Sequence, residues 1–169
     1  MKEVISPERI QARVAELARE IKADHQNEDL VLVGILKGAF IFLSDLARHL
    51  GEDVEIDFVR LASYGNSTQS SGEIRLTKDL ELELNGRTVL VVEDIVDTGL
   101  TLKWFVDHLR ERGVRKVEIC TLVDKPERRE VELELDYVGF EIPSGFLVGY
   151  GLDYGEKYRG LPGIYELEL

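Results

Sequence analysis

Two short stretches of this chain, LVLVGIL (30–36) and VLVV (89–92), are continuously apolar, and a third, VEICTLVD (117–124), is nearly so. Runs of that length without alternation read as strands buried on both faces. The segments after two of them have a different period. Phe40, Leu43, Leu46, Ala47 and Leu50 recur at helical spacing, as do Leu102, Phe105, Val106 and Leu109. Strands that need cover on both sides, alternating with amphipathic helices, imply an α/β fold with a mostly parallel central sheet flanked by helices.

The remaining signals fill in this frame. Ser6-Pro7-Glu8 reads as a helix start, and Ile10, Val14, Leu17 and Ile21 continue it as a buried stripe. VEIDFV (54–59) alternates and predicts a further strand. Asn85-Gly86 marks a turn, and Gly113 stands where a helix ends. YVGFEI (137–142), FLVGYGLDY (146–154) and IYELEL (164–169) are all strand-like, and a small appended β element is expected beside the parallel sheet. Residues 63–79 are rich in Ser, Thr, Gly, Asn and Gln, and a loop that long in a compact domain is usually functional. With no repeat or linker, residues 1–169 are expected to form one domain.

Composition excludes several function classes. A net charge of −12 argues against a general binder of nucleic acid or anionic membrane. The single cysteine, Cys120, lies in an apolar run and reads as a core residue. No apolar run approaches a membrane span and no leader pattern is visible, so a cytoplasmic location is expected.

The chemistry concentrates in VLVVEDIVDTGLTL (89–102). Glu93, Asp94 and Asp97 stand at the carboxyl end of an apolar strand, where ligands of parallel α/β folds bind. Asp97-Thr98-Gly99-Leu100-Thr101 then turns into a helix, whose first N–H groups form a ready anion site. Buried acids need donors or cations. A ligand with both a phosphate and a hydroxylated sugar satisfies both halves of this turn.

This stretch resembles the phosphoribosyl-pyrophosphate (PRPP) motif of the type I phosphoribosyltransferases. GILKGAF (34–40) resembles the pyrophosphate loop of the hypoxanthine(-guanine) branch of that family, and LASYGNSTQSSGEIR (61–75) its mobile lid. LVDKPERR (122–129) and YVGFEIPSGFLVGYGLDYGEKYRGLP (137–162) resemble its purine-binding half. The resemblance runs through nearly the whole chain. It implies the type I phosphoribosyltransferase fold with a small C-terminal hood, and transfer of the phosphoribosyl group from PRPP to hypoxanthine or guanine.

By that resemblance, Glu93 and Asp94 bind the ribose hydroxyls directly or through Mg²⁺, and Asp97 is the general base. Asp97, Thr98, Gly99, Leu100 and Thr101 cradle the 5′-phosphate. Lys37, Gly38 and Arg159 meet pyrophosphate, and the peptide matching Leu36–Lys37 is cis in some relatives. Ser63 and Tyr64 belong to a lid over about 63–79. Lys125 donates to the purine 6-oxo group, Phe146 stacks on the ring and the Leu147 backbone reads its edge. Asp153 joins Glu93 and Asp94 as a metal-binding acid, for a second Mg²⁺, and Arg129 helps to hold the loop near the nucleotide. His25, His49 and His108 match no motif and are expected to be structural or at the surface. The resemblance also implies a homo-oligomer, dimer or tetramer, with Trp104, Phe105 and Phe42 serving either core or interface. Two alternatives stay open: a phosphoribosyltransferase for xanthine or adenine, and a PRPP-binding regulator of the same fold, against which the negative charge argues.

Overall fold

The computed structural model describes residues 1–64 and 73–169. Its elements run β1 (Lys2–Ile5), α1 (Pro7–Asp24), β2 (Leu30–Leu36), α2 (Phe40–Leu50), β3 (Glu55–Tyr64), β4 (Glu73–Lys78), β5 (Thr88–Val96), α3 (Leu100–Glu111), β6 (Lys116–Asp124), β7 (Tyr137–Glu141), β8 (Phe146–Val148) and β9 (Ile164–Leu167). A single 3-10 turn, Pro126–Arg128, follows β6.

Six strands form one sheet in the order β4-β3-β2-β5-β6-β7, parallel except for β4. Side chains alternate across it, which explains the unbroken apolar runs. Leu32, Leu90 and Val92 face one way and pack with Ile10, Leu17, Phe42 and Leu46 of α1 and α2. Val31, Val33, Val89 and Val91 face the other way and pack with Leu102, Phe105 and Leu109 of α3. Ser6 Oγ accepts from the Arg9 N–H at 3.2 Å, so α1 starts at the cap read from the sequence.

Three sequence expectations need correction. First, the hood is not purely C-terminal: β1 pairs with β9, and β9 with β8, in a separate antiparallel sheet. Lys2–Ile5 escaped notice because four residues, mostly exposed, offer too little pattern. Second, the ends of the expected 63–79 loop are strands. β3 runs on to Tyr64 and pairs with β4, an edge strand on which Ile74 and Leu76 alternate with exposed polar residues. The rest of that expected lid, 65–72, lies outside the described residues. Third, the strand expected over 146–154 stops at Val148, because Gly149, Tyr150 and Gly151 take φ of 100°, 49° and 100°. Left-handed backbone cannot continue a ladder. Of the three aromatics left open between core and interface, Phe42 and Phe105 are wholly buried and belong to the core, while Trp104 is half-buried and stacks on His108 at 5.1 Å on the surface of α3.

Candidate active site

The order of strands decides where ligands can gather. From β2 the chain leaves to α2 on one face, and from the adjacent β5 it leaves to α3 on the other. Where neighbouring connections diverge, a crevice opens beyond the strand ends. Lys37-Gly38 and Glu93 to Thr101 line that crevice from the two sides.

At the α3 end, Gly99 is the cap residue at φ 85°, and no side chain caps the helix. The first N–H groups of α3 therefore stay available to an anion, apart from a long 3.4 Å contact of the Leu100 N–H with Thr98 Oγ1. A small concavity of about 120 Å³ lies here, lined by Glu93, Ile95 to Gly99, Thr101 and Leu102. The segment after β6 fixes the turn. Arg129 Nε donates to Asp97 O at 3.0 Å, its guanidinium also pairs with Asp124, and the Glu130 N–H donates to Thr98 O at 2.9 Å. A Cβ on Gly99 would come within 3.1 Å of Arg129 Cδ, so the arginine lies directly on the loop.

The acids divide into two situations. Asp97 Oδ2 accepts from Arg128 Nη1 at 3.0 Å, while Asp97 Oδ1 is buried with no partner among the described residues. Glu93 and Asp94 are adjacent, and their hydrogen bonds come from neighbouring main-chain N–H groups: Asp94 N to Glu93 Oε1 at 3.0 Å and Ile95 N to Asp94 Oδ1 at 2.7 Å. Burial pushes the Glu93 carboxyl well above the usual carboxylate range, and the Asp94 charge adds to the shift. Burial likewise raises Asp94, although hydrogen bonds to its carboxylate oppose the change. The sequence placed these acids at the strand tip; in fact β5 continues through them to Val96, still paired with β6.

Opposite β5, the Leu36–Lys37 peptide is cis. Packing here is tight. A Cβ on Gly38 would lie 1.8 Å from Asp94 Oδ2, and one on Gly151 would lie 2.1 Å from Gly38 O. Only glycine permits the β2 loop, the β5 acids and the hood turn to meet this closely. From the hood, Arg159 Nη1 donates to Gly151 O at 2.7 Å. Its Nη2 donates to Glu156 Oε1 at 2.8 Å, and Lys37 Nζ donates to Glu156 Oε2 at 2.5 Å. These two cations hold the Glu156 carboxyl down at about 2. Asp153 Oδ2 accepts from the Glu156 N–H at 2.9 Å, and Asp153 Oδ1 lies 3.5 Å from Arg159 Nη2.

Between β6 and the hood, Lys125 Nζ donates to Gly145 O at 2.7 Å, next to Phe146. The Phe146 ring is 40% exposed, so it is a free face rather than a core residue. Tyr154 supports it edge-on, with ring centroids 5.4 Å apart at 87°. Leu147 is buried on β8. Ser63 and Tyr64 end β3, where Arg75 lies over the Tyr64 ring.

The structure thus brings Lys37, Gly38, Glu93, Asp94, Arg159 and Asp153 to one crevice, with the Asp97 to Thr101 turn along its wall. Glu93, Asp94 and Asp153 do not form a three-acid metal cluster among the described residues. The adjacent Glu93–Asp94 pair still suits Mg²⁺, which binds through one or two carboxylates and fills its other positions with water and substrate oxygens. Sequence reasoning missed Arg128, Tyr154 and Glu156. Exposed charged residues in RR and GEK segments carry no periodic signal, and only the folded turn gives them partners.

A roomier cavity, about 550 Å³, lies at the opposite end of the sheet, among Arg19, Lys22, His25, Gln26 and Asp53. Size alone does not identify a site: the adjacent acids, the cations and the uncapped helix start gather in the other crevice.

Residues 3–155 match the family model of the phosphoribosyl transferase domain. Over 163 residues the chain is 47% identical to the hypoxanthine-guanine phosphoribosyltransferase of Bacillus subtilis, covering 96% of this chain and 91% of that one. A crystal structure of a Staphylococcus aureus hypoxanthine phosphoribosyltransferase matches with a TM-score of 0.95 at 44% identity, covering 99% of this chain and 91% of that chain. A Bacillus anthracis hypoxanthine-guanine phosphoribosyltransferase, solved with HEPES in its active site, also gives 0.95, at 47% identity over 99% of each chain.

Proposed function

The chain belongs to the phosphoribosyl transferase family, and from that premise we propose that it is a purine-salvage enzyme. It transfers the 5-phosphoribosyl group of PRPP to hypoxanthine or guanine, yielding IMP or GMP and pyrophosphate. The observation that carries the choice of base is Lys125 Nζ on the Gly145 carbonyl, one residue before the exposed Phe146. An ammonium there donates to a 6-oxo group and has nothing to offer the 6-amino group of adenine.

Each part of the crevice has a task in this reading. The N–H groups of the Thr98 to Thr101 turn and its hydroxyls bind the 5′-phosphate. Glu93 and Asp94 hold the ribose hydroxyls. The bond from C1′ to pyrophosphate breaks, and a bond from C1′ to purine N9 forms. The purine gives up its proton to Asp97, whose unpartnered buried oxygen suits an acceptor role near N7. Lys37 and Arg159 offset the negative charge that grows on pyrophosphate. Glu93, Asp94 and Asp153 are the residues that would hold Mg²⁺, which supplies charge neutralisation when bound. Ser63 and Tyr64 begin a lid that excludes water during transfer. The buried cluster that runs from Leu32 and Leu90 to Ile5, Leu147 and Ile164 supports treating residues 1–169 as one catalytic domain, hood included.

No helix among the described residues is long and apolar enough to cross a membrane. A cytoplasmic location and a homo-oligomer, dimer or tetramer, go with the proposal, and sizing by light scattering reads the latter. The function is tested by supplying PRPP, Mg²⁺ and one purine at a time. Nucleotide and pyrophosphate should form with hypoxanthine or guanine and not with adenine; no product with either 6-oxopurine would overturn the reading.

A further inference from the structure

Glu156 occupies a peculiar position. Its two carboxylate oxygens lie on two different cations from distant parts of the chain, Lys37 at 2.5 Å and Arg159 at 2.8 Å. These are the same cations assigned to pyrophosphate in the proposed function, and the role of Glu156 rests on that assignment. We propose that Glu156 is an internal counter-ion that occupies the pyrophosphate subsite until substrate arrives, is displaced by the leaving-group oxygens, and returns as pyrophosphate departs.

The alternative role, a staple joining the β2 loop to the hood, fits less well. Those segments are already joined by backbone contact, since Gly38 O packs against Gly151 too closely for any Cβ. Arg159 does not need Glu156 to orient it either. Its other nitrogen is anchored on Gly151 O, and its side chain is largely buried. Lys37 and Glu156, by contrast, are both about half exposed. Exposed pairs contribute little and exchange readily, which suits a displaceable contact and not a structural one.

The backbone keeps Glu156 in position for this. Its φ is 68°, uncommon outside glycine, and its N–H is fixed on Asp153 Oδ2 at 2.9 Å. The carboxylate is therefore presented to the two cations by the turn itself. A single charge shared between two cations is a weak competitor for pyrophosphate, which brings several charges and many oxygens. Glu156 consequently keeps the cations occupied without blocking substrate.

The test is calorimetric titration of the whole protein with magnesium pyrophosphate. Removing the competitor in Glu156→Gln should tighten binding by about three- to tenfold, the equivalent of one or two exposed ion pairs. Glu156→Ala should change it in the same direction. In the forward reaction the KM for PRPP should fall while that for hypoxanthine stays unchanged. Unchanged or weaker pyrophosphate binding in both variants, with wild type binding normally, overturns the role of Glu156 alone. If wild type neither binds magnesium pyrophosphate nor forms nucleotide, the assignment of Lys37 and Arg159 falls, and this proposal with it.

Discussion

The two ends of the central sheet treat their buried polar groups differently. At the amino end most are matched. His25 is bonded to Ile21 O and Glu118, Tyr137 donates to Asp24 at 2.6 Å, and Arg87 pairs with Asp29 and Glu55. One Glu28 oxygen and Arg87 Nε lack partners there, but each belongs to a side chain that is ion-paired through another atom. At the carboxyl end Asp97 is in the same position, with one oxygen on Arg128 and the other buried, but Glu93 and Asp94 stand side by side with no ion-pair partner among the described residues. Matched groups hold a fold together; unmatched ones cost stability unless a ligand completes them. The carboxyl end, with its two adjacent acids, is the one built for a visitor.

Mutations can break this contrast. The largest effect is expected from Asp97→Asn, which leaves the phosphate cradle intact and removes the proton acceptor. Turnover should fall by about 10²- to 10⁴-fold while PRPP still binds, as read by single-turnover kinetics beside equilibrium binding. Unaltered turnover would remove Asp97 from the base role.

At the amino end, Glu118→Ala should do the reverse. It strands the buried His25 ring nitrogen, which costs about 1–3 kcal/mol. The melting temperature should drop by roughly 2–4 °C per kcal/mol for a domain of this size, with kcat and KM unchanged. A variant that loses activity while melting normally would contradict the division.

The smallest effect, and the sharpest in sign, concerns Glu93→Gln without ligand. The folded-state pKa of Glu93 is raised, so the native state binds more protons than the unfolded state does. Stability therefore declines as pH rises from the ordinary carboxylate value through the raised one. Glu93→Gln should flatten that decline and melt slightly above wild type at neutral pH, with slower turnover. A melting curve that keeps the wild-type pH slope would show that Glu93 is not held in that way.

Much of this was legible in the chain. LVLVGIL and VLVV dictated central strands, and the acids on the second run marked the site, because burial on two faces and costly carboxylates leave few alternatives. The cis peptide at Leu36–Lys37 is left open by the resemblance and is seen only in the folded backbone. Other parts were not legible for physical reasons. β1 and β4 are short and lie at edges, where one exposed face dilutes the pattern. FLVGYGLDY reads as a strand by composition, and only the left-handed glycines and Tyr150 reveal a turn. The partners of Glu156 and Arg128 are set by tertiary approach across 119 and 31 residues, which no local spacing encodes.

The pairing of β1 with β9, and of β9 with β8, has a consequence for synthesis. A nascent chain that has emerged as far as Asp124 already contains β2, β5, β6 and the Asp97 to Thr101 turn. Its first strand still waits for a partner that lies at Ile164–Leu167. The hood, which carries Phe146, Asp153 and Arg159, is thus the last part to be completed, and it closes on a strand made at the very start.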